Sequence, residues 1–149
     1  MQERKVWVFF YGSFINLEVL ATAGLIPEQL EVACLWGYDI RIQPLANLIP
    51  SQRHCVYGIV CQASPRDLLA LYGQTWVGTY WPEAVLVECE GGSIRPALCY
   101  ISPPRPVEAA TSDYIDRIAK PAREYGFPSW YIERIELFRH GPLLEGEPV

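Results

Sequence analysis

The sequence lacks a hydrophobic run long enough to cross a bilayer, since no stretch of about 18 consecutive apolar residues occurs in it. It also lacks, at its start, the basic and apolar segments of a signal peptide, so we expect a cytoplasmic protein without a membrane partner. Its 12 cationic residues are scattered singly and are outnumbered by 17 anionic ones, giving a net charge of −5. The cationic residues form no basic patch that could bind phosphates, and nucleic acid is therefore not an expected partner.

Residues that commonly hold metals or drive nucleophilic catalysis are also scarce. The two histidines, His54 and His140, complete neither a Ser/His/Asp set nor a metal site at any recognisable spacing. His54 could serve as a base, but a histidine at a strand end is more often a surface residue. The five cysteines are odd in number and form no C-x-x-C pair, which predicts buried free thiols. We expect no metal and no organic cofactor.

What the sequence does contain is apolar and aromatic, with 50% hydrophobic and 13% aromatic residues. A chain of this length can bury enough surface to fold as one domain without cross-links. We predict a single domain over residues 1–140 and a loosely ordered C-terminal tail over residues 141–149.

Hydrophobic periodicity predicts an alternation of strands and helices, with more strand than helix. The predicted strands cover residues 5–10, 31–42, 54–62, 83–90 and 94–101. The predicted helices cover residues 17–23, residues 65–72 and a segment that begins after Thr111 or Ser112. Residues 43–53 are expected to form a loop, and residues 130–138 a last short helix or an extended arm.

Local signals support these boundaries. Asn16 is a suitable helix N-cap, and Ser64, followed by a proline, is a strong one. Gly37 predicts a bulge or bend in its strand. The Gly91-Gly92-Ser93 turn predicts a hairpin, so the sheet should be at least partly antiparallel. Pro121 should kink its helix or remove part of its hydrogen bonding.

The first predicted strand ends abruptly in Tyr11-Gly12-Ser13. Glycine lets the main chain approach a ligand closely, and serine adds a hydroxyl group that can donate and accept hydrogen bonds. The peptide N–H groups of such a turn form a concavity that fits an anion. This pattern is typical of a carboxylate or phosphate site, although an ordinary strand-to-helix turn is an alternative interpretation.

Several segments, taken in order over roughly residues 5–138, carry a resemblance to a known family. They are Tyr11-Gly12-Ser13, Val56-Tyr57-Gly58-Ile59-Val60, Tyr80-x-Pro82-Glu83-x-Val85-x-Val87, the Gly-Gly hairpin, and Ala122-Arg123-Glu124-Tyr125-Gly126-Phe127-Pro128-x-x-Tyr131. Together they resemble the gamma-glutamylcyclotransferase-like family. The resemblance implies an α+β fold: a small mixed, partly closed β-barrel with flanking helices.

The resemblance also implies a reaction. In this family a gamma-glutamyl amide cyclises to 5-oxoproline and releases an amine. In the family, backbone amides of this turn hold the substrate, and the resemblance gives that role to Tyr11, Gly12, Ser13 and Phe14. Fixed N–H dipoles suit this role because they stabilise negative charge. Tyr80 would also lie near the substrate, although a half-buried core position suits it equally. The resemblance places Tyr131 beside the substrate too, with a core role slightly favoured.

The sequence departs from the family at the catalytic glutamate, which acts as the acid/base of cyclisation. Thr75 occupies that position, and a threonine hydroxyl cannot act as a base at neutral pH. Glu83 is the nearest carboxylate that could replace it, although a solvent-facing residue at a strand end is an equal alternative.

Two functions therefore remain open. One is a divergent cyclotransferase with Glu83 as replacement acid/base. The other is a non-catalytic protein that binds a carboxylated small metabolite or serves as an interaction module. In both cases the expected partner is a small molecule with a gamma-glutamyl or other carboxylated group, and an oligomer is possible.

Overall fold

A computed structural model describes residues 4–143. Five strands form a closed barrel in the order β1-β3-β2-β4-β5. The strands are β1 (Val6–Phe10), β2 (Glu28–Ile42), β3 (Ala46–Ala63), β4 (Trp81–Cys89) and β5 (Ile94–Ile101). The helices are α1 (Leu17–Thr22), α2 (Pro65–Tyr72), α3 (Ser112–Glu124) and α4 (Ser129–Leu137), with short 3-10 turns at Ser13–Ile15 and Phe138–His140.

The predicted α+β barrel with flanking helices is confirmed, and the barrel closes. Neighbouring strands pair antiparallel except at the closure, where β1 and β5 run parallel and Val8 pairs with Leu98. Gly58 allows β1 and β3 to approach closely, because a Cβ atom at this position would lie 2.1 Å from the carbonyl oxygen of Phe10. The residues that line the barrel core come from every strand, with the apolar faces of the helices packed against them.

The long β2–β3 hairpin corrects one sequence-based prediction. Residues 46–53 were expected in a loop but belong to β3, with Ala46 paired to Ile42 and Pro50 paired to Tyr38. Pro50 and the polar residues of this segment favour a loop, whereas pairing with β2 supplies the partners that make it a strand. Gly37 does produce the expected irregularity, since the register shifts between Trp36 and Tyr38.

Several predicted caps are confirmed by side-chain hydrogen bonds. Asn16 Oδ1 accepts from the Glu18 N–H, Ser64 Oγ from Asp67, and Thr111 Oγ1 from Tyr114. The segment predicted as a helix or an arm is the helix α4.

Pro121 lies inside α3, which continues beyond it to Glu124. A proline cannot donate to the carbonyl group four residues earlier, here that of Arg117. The Asn16 side-chain amide donates to this carbonyl at 3.3 Å, so the hydrogen bond that α3 loses is replaced from the start of α1.

At the C-terminal end, Leu143 packs against the core and its carbonyl oxygen accepts from Gln43 Nε2. The remainder of the predicted tail, residues 144–149, lies outside the described residues. Among the helices of residues 4–143, none is long and apolar enough to cross a membrane.

Candidate functional site

The Tyr11–Phe14 turn connects β1 to the first helical segment. The 3-10 turn begins directly after Gly12, which provides no side-chain cap. The first N–H groups of a helix have no partner within the helix. Gly12 lies close to the start of β3, because a Cβ atom placed on it would lie 2.7 Å from Ala46 Cβ. Only glycine fits between the turn and β3 without displacing one of them.

A cleft opens beside this turn, between the start of β3, the end of α2, the segment before β4, and α3. We call it the tyrosine cleft. It is lined by Phe10, Tyr11, Gly12, Ser13, Phe14, Leu45, Ala46, Tyr72, Trp76, Val77, Tyr80 and Tyr114. The cavity volume of the cleft is about 30 Å³. It is therefore a narrow opening.

Aromatic rings form one wall of the cleft. The Phe14 ring meets the rings of Tyr72 and Trp76 edge to face, with centroids 5.3 and 5.9 Å apart. Tyr72 in turn stacks on Tyr100 of β5 at 3.9 Å. Trp76 retains 41% of its accessible surface, so it is the part of this wall most open to solvent.

Three of the four tyrosine hydroxyl groups in the cleft lining are hydrogen-bonded to the backbone. Tyr11 donates to the carbonyl oxygen of Tyr100 at 2.6 Å, and Tyr80 donates to that of Ala46. Tyr114 accepts from the Ala46 N–H at 2.9 Å, and Ser13 lies beside the Tyr114 hydroxyl group. The three hydroxyl groups thus tie β1, β3, β5 and α3 together around the opening.

Burial is the main reason why these phenols resist ionisation. It raises the pKa of Tyr11, Tyr72 and Tyr80, and neighbouring tyrosines raise it further. Burial also raises the pKa of Tyr114, although hydrogen bonds from Ala46 and Ser13 oppose the effect. The phenols are neutral at physiological pH and can donate or accept hydrogen bonds, but they cannot take up a proton as bases.

The cleft contains no charged or imidazole side chain among its lining residues. Its polar groups are the serine and tyrosine hydroxyls and the backbone of the turn. In the described part of the chain, no group of three or more His, Cys, Asp or Glu side chains could hold a metal ion. All five cysteines are buried free thiols, as the sequence predicts. What this site offers chemically is hydrogen bonding in a partly dry aromatic environment.

Five of the residues predicted for the site come together here: Tyr11, Gly12, Ser13, Phe14 and Tyr80. Thr75 is exposed and does not line the cleft, whereas the next two residues along the chain do.

Glu83 lies near the start of β4, opposite Cys99 of β5. Its side chain is exposed and is not part of the cleft lining. It shares a strand face with the buried Val87, because side chains alternate along a strand, but it sits where that face meets solvent. Its negative charge contributes to raising the pKa of Cys99 to about 12, after the larger effect of burial.

Tyr131 lies elsewhere, in a second aromatic group under α4. It is 1% exposed and contacts the rings of Tyr57, Phe127 and Trp130. We call these four residues the α4 cluster. The expectation that Tyr131 contacts a substrate finds no support in this position, because its ring is enclosed by core residues.

An ion pair fixes α4 beside this cluster. Arg134 Nε donates to Asp39 Oδ1 at 2.9 Å, and its second nitrogen donates to the other carboxylate oxygen. Arg41 also donates to Asp39. Burial alone would raise the pKa of Asp39, but the hydrogen bonds and charges of the two arginines hold it below its ordinary value.

Sequence reasoning missed part of the cleft. Tyr114 was interpreted only as an apolar position of its helix, and Leu45 and Ala46 were placed in a loop. No local signal distinguishes a tyrosine that lines a cleft from one that packs in the core. His54, the weaker candidate base, hydrogen-bonds to Ser51 in β3 and does not line the cleft.

Comparisons with known proteins bear on the fold. No protein-family model matches the chain, and no curated protein matches it in sequence. A solved gamma-glutamyl cyclotransferase is similar in structure, with a TM-score of 0.78 at 21% identity over 98% of this chain and 94% of that one.

Two further solved structures agree with it. An uncharacterized human protein has a TM-score of 0.76 at 20% identity, covering 99% of this chain and 93% of its own. A yeast gamma-glutamyl cyclotransferase specific to glutathione has a TM-score of 0.65 at 14% identity, covering 93% of this chain and 96% of its own. The chain therefore has the fold of the gamma-glutamyl cyclotransferases.

Proposed function

We propose that this protein binds a small molecule with a gamma-glutamyl or another carboxylated group in the tyrosine cleft. The observation that carries the proposal is the lining of the cleft, which joins the Tyr11–Phe14 turn to tyrosine hydroxyl groups and contains no acid or base. Such a lining can hold and orient a polar group in an apolar surrounding. It does not contain a group that could remove a proton from an ammonium ion.

In this proposal the substrate carboxylate lies against the backbone N–H groups of the turn and the Ser13 hydroxyl group. Ser13 is buried and lies beside the Tyr114 hydroxyl group. The aromatic wall receives the apolar part of the ligand. Trp76 is the most exposed aromatic ring of this lining, and in this proposal it moves outward to admit the ligand.

A second candidate function is cyclisation of a gamma-glutamyl amide to 5-oxoproline. The fold shared with gamma-glutamyl cyclotransferases favours it, together with the position of Glu83 three residues after Tyr80, a cleft residue. In this alternative the Glu83 carboxylate takes a proton from the substrate α-ammonium group and returns one to the leaving nitrogen. Its side chain must then turn from solvent toward the cleft.

One experiment separates the two candidates. Purified protein is incubated with gamma-glutamyl amino acids, gamma-glutamyl amines and glutathione; binding is measured by calorimetry and tryptophan emission, and 5-oxoproline by mass spectrometry. We expect saturable binding without 5-oxoproline. Release of 5-oxoproline that is lost in Glu83→Gln but kept in Glu90→Gln, an exposed carboxylate of the hairpin turn, would establish the second candidate instead.

The location of the ligand is tested by a matched pair of variants. Ser13→Ala removes the buried hydroxyl group and should weaken binding about tenfold, whereas Ser93→Ala changes an exposed hairpin serine and should not. Absence of binding across the whole panel contradicts both candidate functions.

A further inference from the structure

A second cleft, separate from the tyrosine cleft, lies between the start of β3 and the end of β5. The two clefts share one residue, Leu45. The cavity volume of the second cleft is about 370 Å³, against about 30 Å³ for the tyrosine cleft. This volume lies in the range of small-molecule pockets.

The walls of the second cleft are mostly apolar, and hydrogen bonds connect its two sides. The apolar lining includes Leu48, Ile49, Pro50, Ile101, Pro104 and Val107. Asn47 of β3 and Ser102, which follows β5, hold the two sides together. Asn47 Nδ2 donates to the Ser102 carbonyl oxygen at 2.9 Å, and the Ser102 N–H donates back to Asn47 Oδ1 at 2.8 Å.

One side chain of this lining, Arg105, carries a positive charge. Arg105 donates to the Ser102 hydroxyl oxygen at 2.6 Å, and its guanidinium group lies 5.5 Å from the centre of the Tyr80 ring. Across residues 4–143, no ion pair includes Arg105. The other arginine of this cleft, Arg41, is already paired with Asp39. Arg105 thus gives an apolar cleft one partly buried cationic group.

We propose that the second cleft binds a small amphipathic carboxylate, with the carboxylate on Arg105 and the apolar body on the surrounding walls. A planar guanidinium group matches a carboxylate in geometry and charge. A single cation in apolar surroundings suits a monoanion, whereas a phosphate would require several more donors. The Ser102 hydroxyl group and the Tyr80 ring restrain the guanidinium group, which reduces the entropy that binding would cost.

Octanoate and its neutral amide, octanamide, test this proposal by calorimetry on the full-length protein. We expect octanoate to bind and octanamide to bind at least about tenfold more weakly. Arg105→Gln should reduce octanoate affinity about tenfold and leave that of octanamide unchanged. Arg53→Gln removes the same charge from an exposed position of β3 outside the cleft and should change neither affinity.

Two further variants locate the ligand independently of Arg105. Val107→Asp places a negative charge at an exposed position of the cleft lining, so octanoate binding should weaken while circular dichroism shows an unchanged fold. Trp76→Ala alters only the tyrosine cleft and should leave octanoate affinity unchanged. Equal affinities for octanoate and octanamide, absence of octanoate binding, or a loss of binding in Trp76→Ala would each overturn the proposal.

Discussion

The tyrosine cleft and the α4 cluster are two aromatic regions of similar composition that are built in opposite ways. In the cleft, the hydroxyl groups of Tyr11, Tyr80 and Tyr114 all bond to backbone groups and the rings leave an opening. In the cluster, the rings fill the space and the Tyr131 hydroxyl group is buried, near the backbone of Tyr57 but without a hydrogen bond of normal geometry. Aromatic content alone therefore does not identify a site. The two regions are distinguished by whether their buried tyrosine hydroxyl groups make hydrogen bonds.

The two regions also differ in what stabilises them. The α4 cluster stands beside the buried pair of Arg134 and Asp39, which holds a helix against a strand. The cleft is held by neutral hydrogen bonds and by close packing of Gly12 on Ala46. A buried charge that loses its partner costs more than a lost neutral hydrogen bond, so substitutions in the Arg134–Asp39 pair beside the cluster should affect folding most, and substitutions in the cleft should affect binding.

The largest effect is expected from Arg134→Met. This change leaves Asp39 buried with Arg41 as its remaining arginine partner, and should lower the free energy of unfolding by about 3–5 kcal/mol in urea denaturation. The control is Arg123→Gln, which breaks an exposed pair with Glu136 and should cost at most about 1 kcal/mol. Equal effects of the two substitutions would contradict the distinction between a buried and an exposed ion pair.

The same ion pair predicts a dependence of stability on pH. Because the pKa of Asp39 is lower in the folded protein than in the unfolded chain, its contribution is present above about pH 4 and is lost as the pH falls through the folded value. Stability measured from about pH 5 to pH 2 should therefore fall more steeply in the native sequence than in Asp39→Asn. Parallel curves for the two proteins would show that Asp39 carries no such dependence.

A smaller effect is expected from Gly12→Ala at the turn. The new methyl group meets Ala46 Cβ, so the free energy of unfolding should fall by about 1–3 kcal/mol and ligand binding at the tyrosine cleft should weaken. Adding Ala46→Gly removes the opposing methyl group and should restore part of both quantities. If the double variant is no better than Gly12→Ala alone, the contact with Ala46 does not explain the need for glycine.

Tyr114→Phe should cost about 1–2 kcal/mol, because the buried Ala46 N–H loses its acceptor. The substitution also removes the hydroxyl group beside Ser13, so we expect weaker ligand binding in calorimetry. A variant with normal stability and normal binding would remove Tyr114 from the proposed site.

Replacing tyrosine by phenylalanine at position 131, in the α4 cluster, gives the sharpest comparison with Tyr114→Phe. Tyr131→Phe deletes a hydroxyl group that makes no hydrogen bond of normal geometry, so the free energy of unfolding should change by less than about 0.5 kcal/mol or rise. Ligand binding should not change, since Tyr131 does not line the cleft. A loss comparable to that of Tyr114→Phe would mean that the hydroxyl group is satisfied after all.

The β4–β5 hairpin and most element boundaries are predictable from local signals, whereas the barrel is what the resemblance to the gamma-glutamylcyclotransferase-like family implies. Caps such as Asn16, Ser64 and Thr111 act on hydrogen bonds within a few residues of themselves, so the sequence contains both partners. The first half of β3 is not predictable in this way, because residues 46–50 are held in a strand by residues 38–42 of β2. Pairing between strands overrides the loop preference of Asn47 and Pro50 there.

In the candidate site, too, some residues are recognisable from local sequence and others only from the tertiary structure. The Tyr11–Phe14 turn is recognisable because strand, glycine and serine are contiguous in the sequence. The roles of Tyr114 and Tyr131 are not recognisable, since both are tyrosines on helices, Tyr114 on α3 and Tyr131 on α4. Only packing places Tyr114 in the cleft and Tyr131 in the core. For the same reason, the sequence could not show that Glu83 and Thr75 are exposed outside the lining.

By itself, the sequence determined the alternation of strands and helices and the turn at the end of the first strand, because each depends on residues close together in the chain. The tertiary structure decided which aromatic side chains leave an opening and which fill space. It also decided that Arg134 meets Asp39 while Arg105 meets no carboxylate within residues 4–143. These outcomes depend on contacts between residues distant in sequence, whose geometry exists only once the barrel has closed.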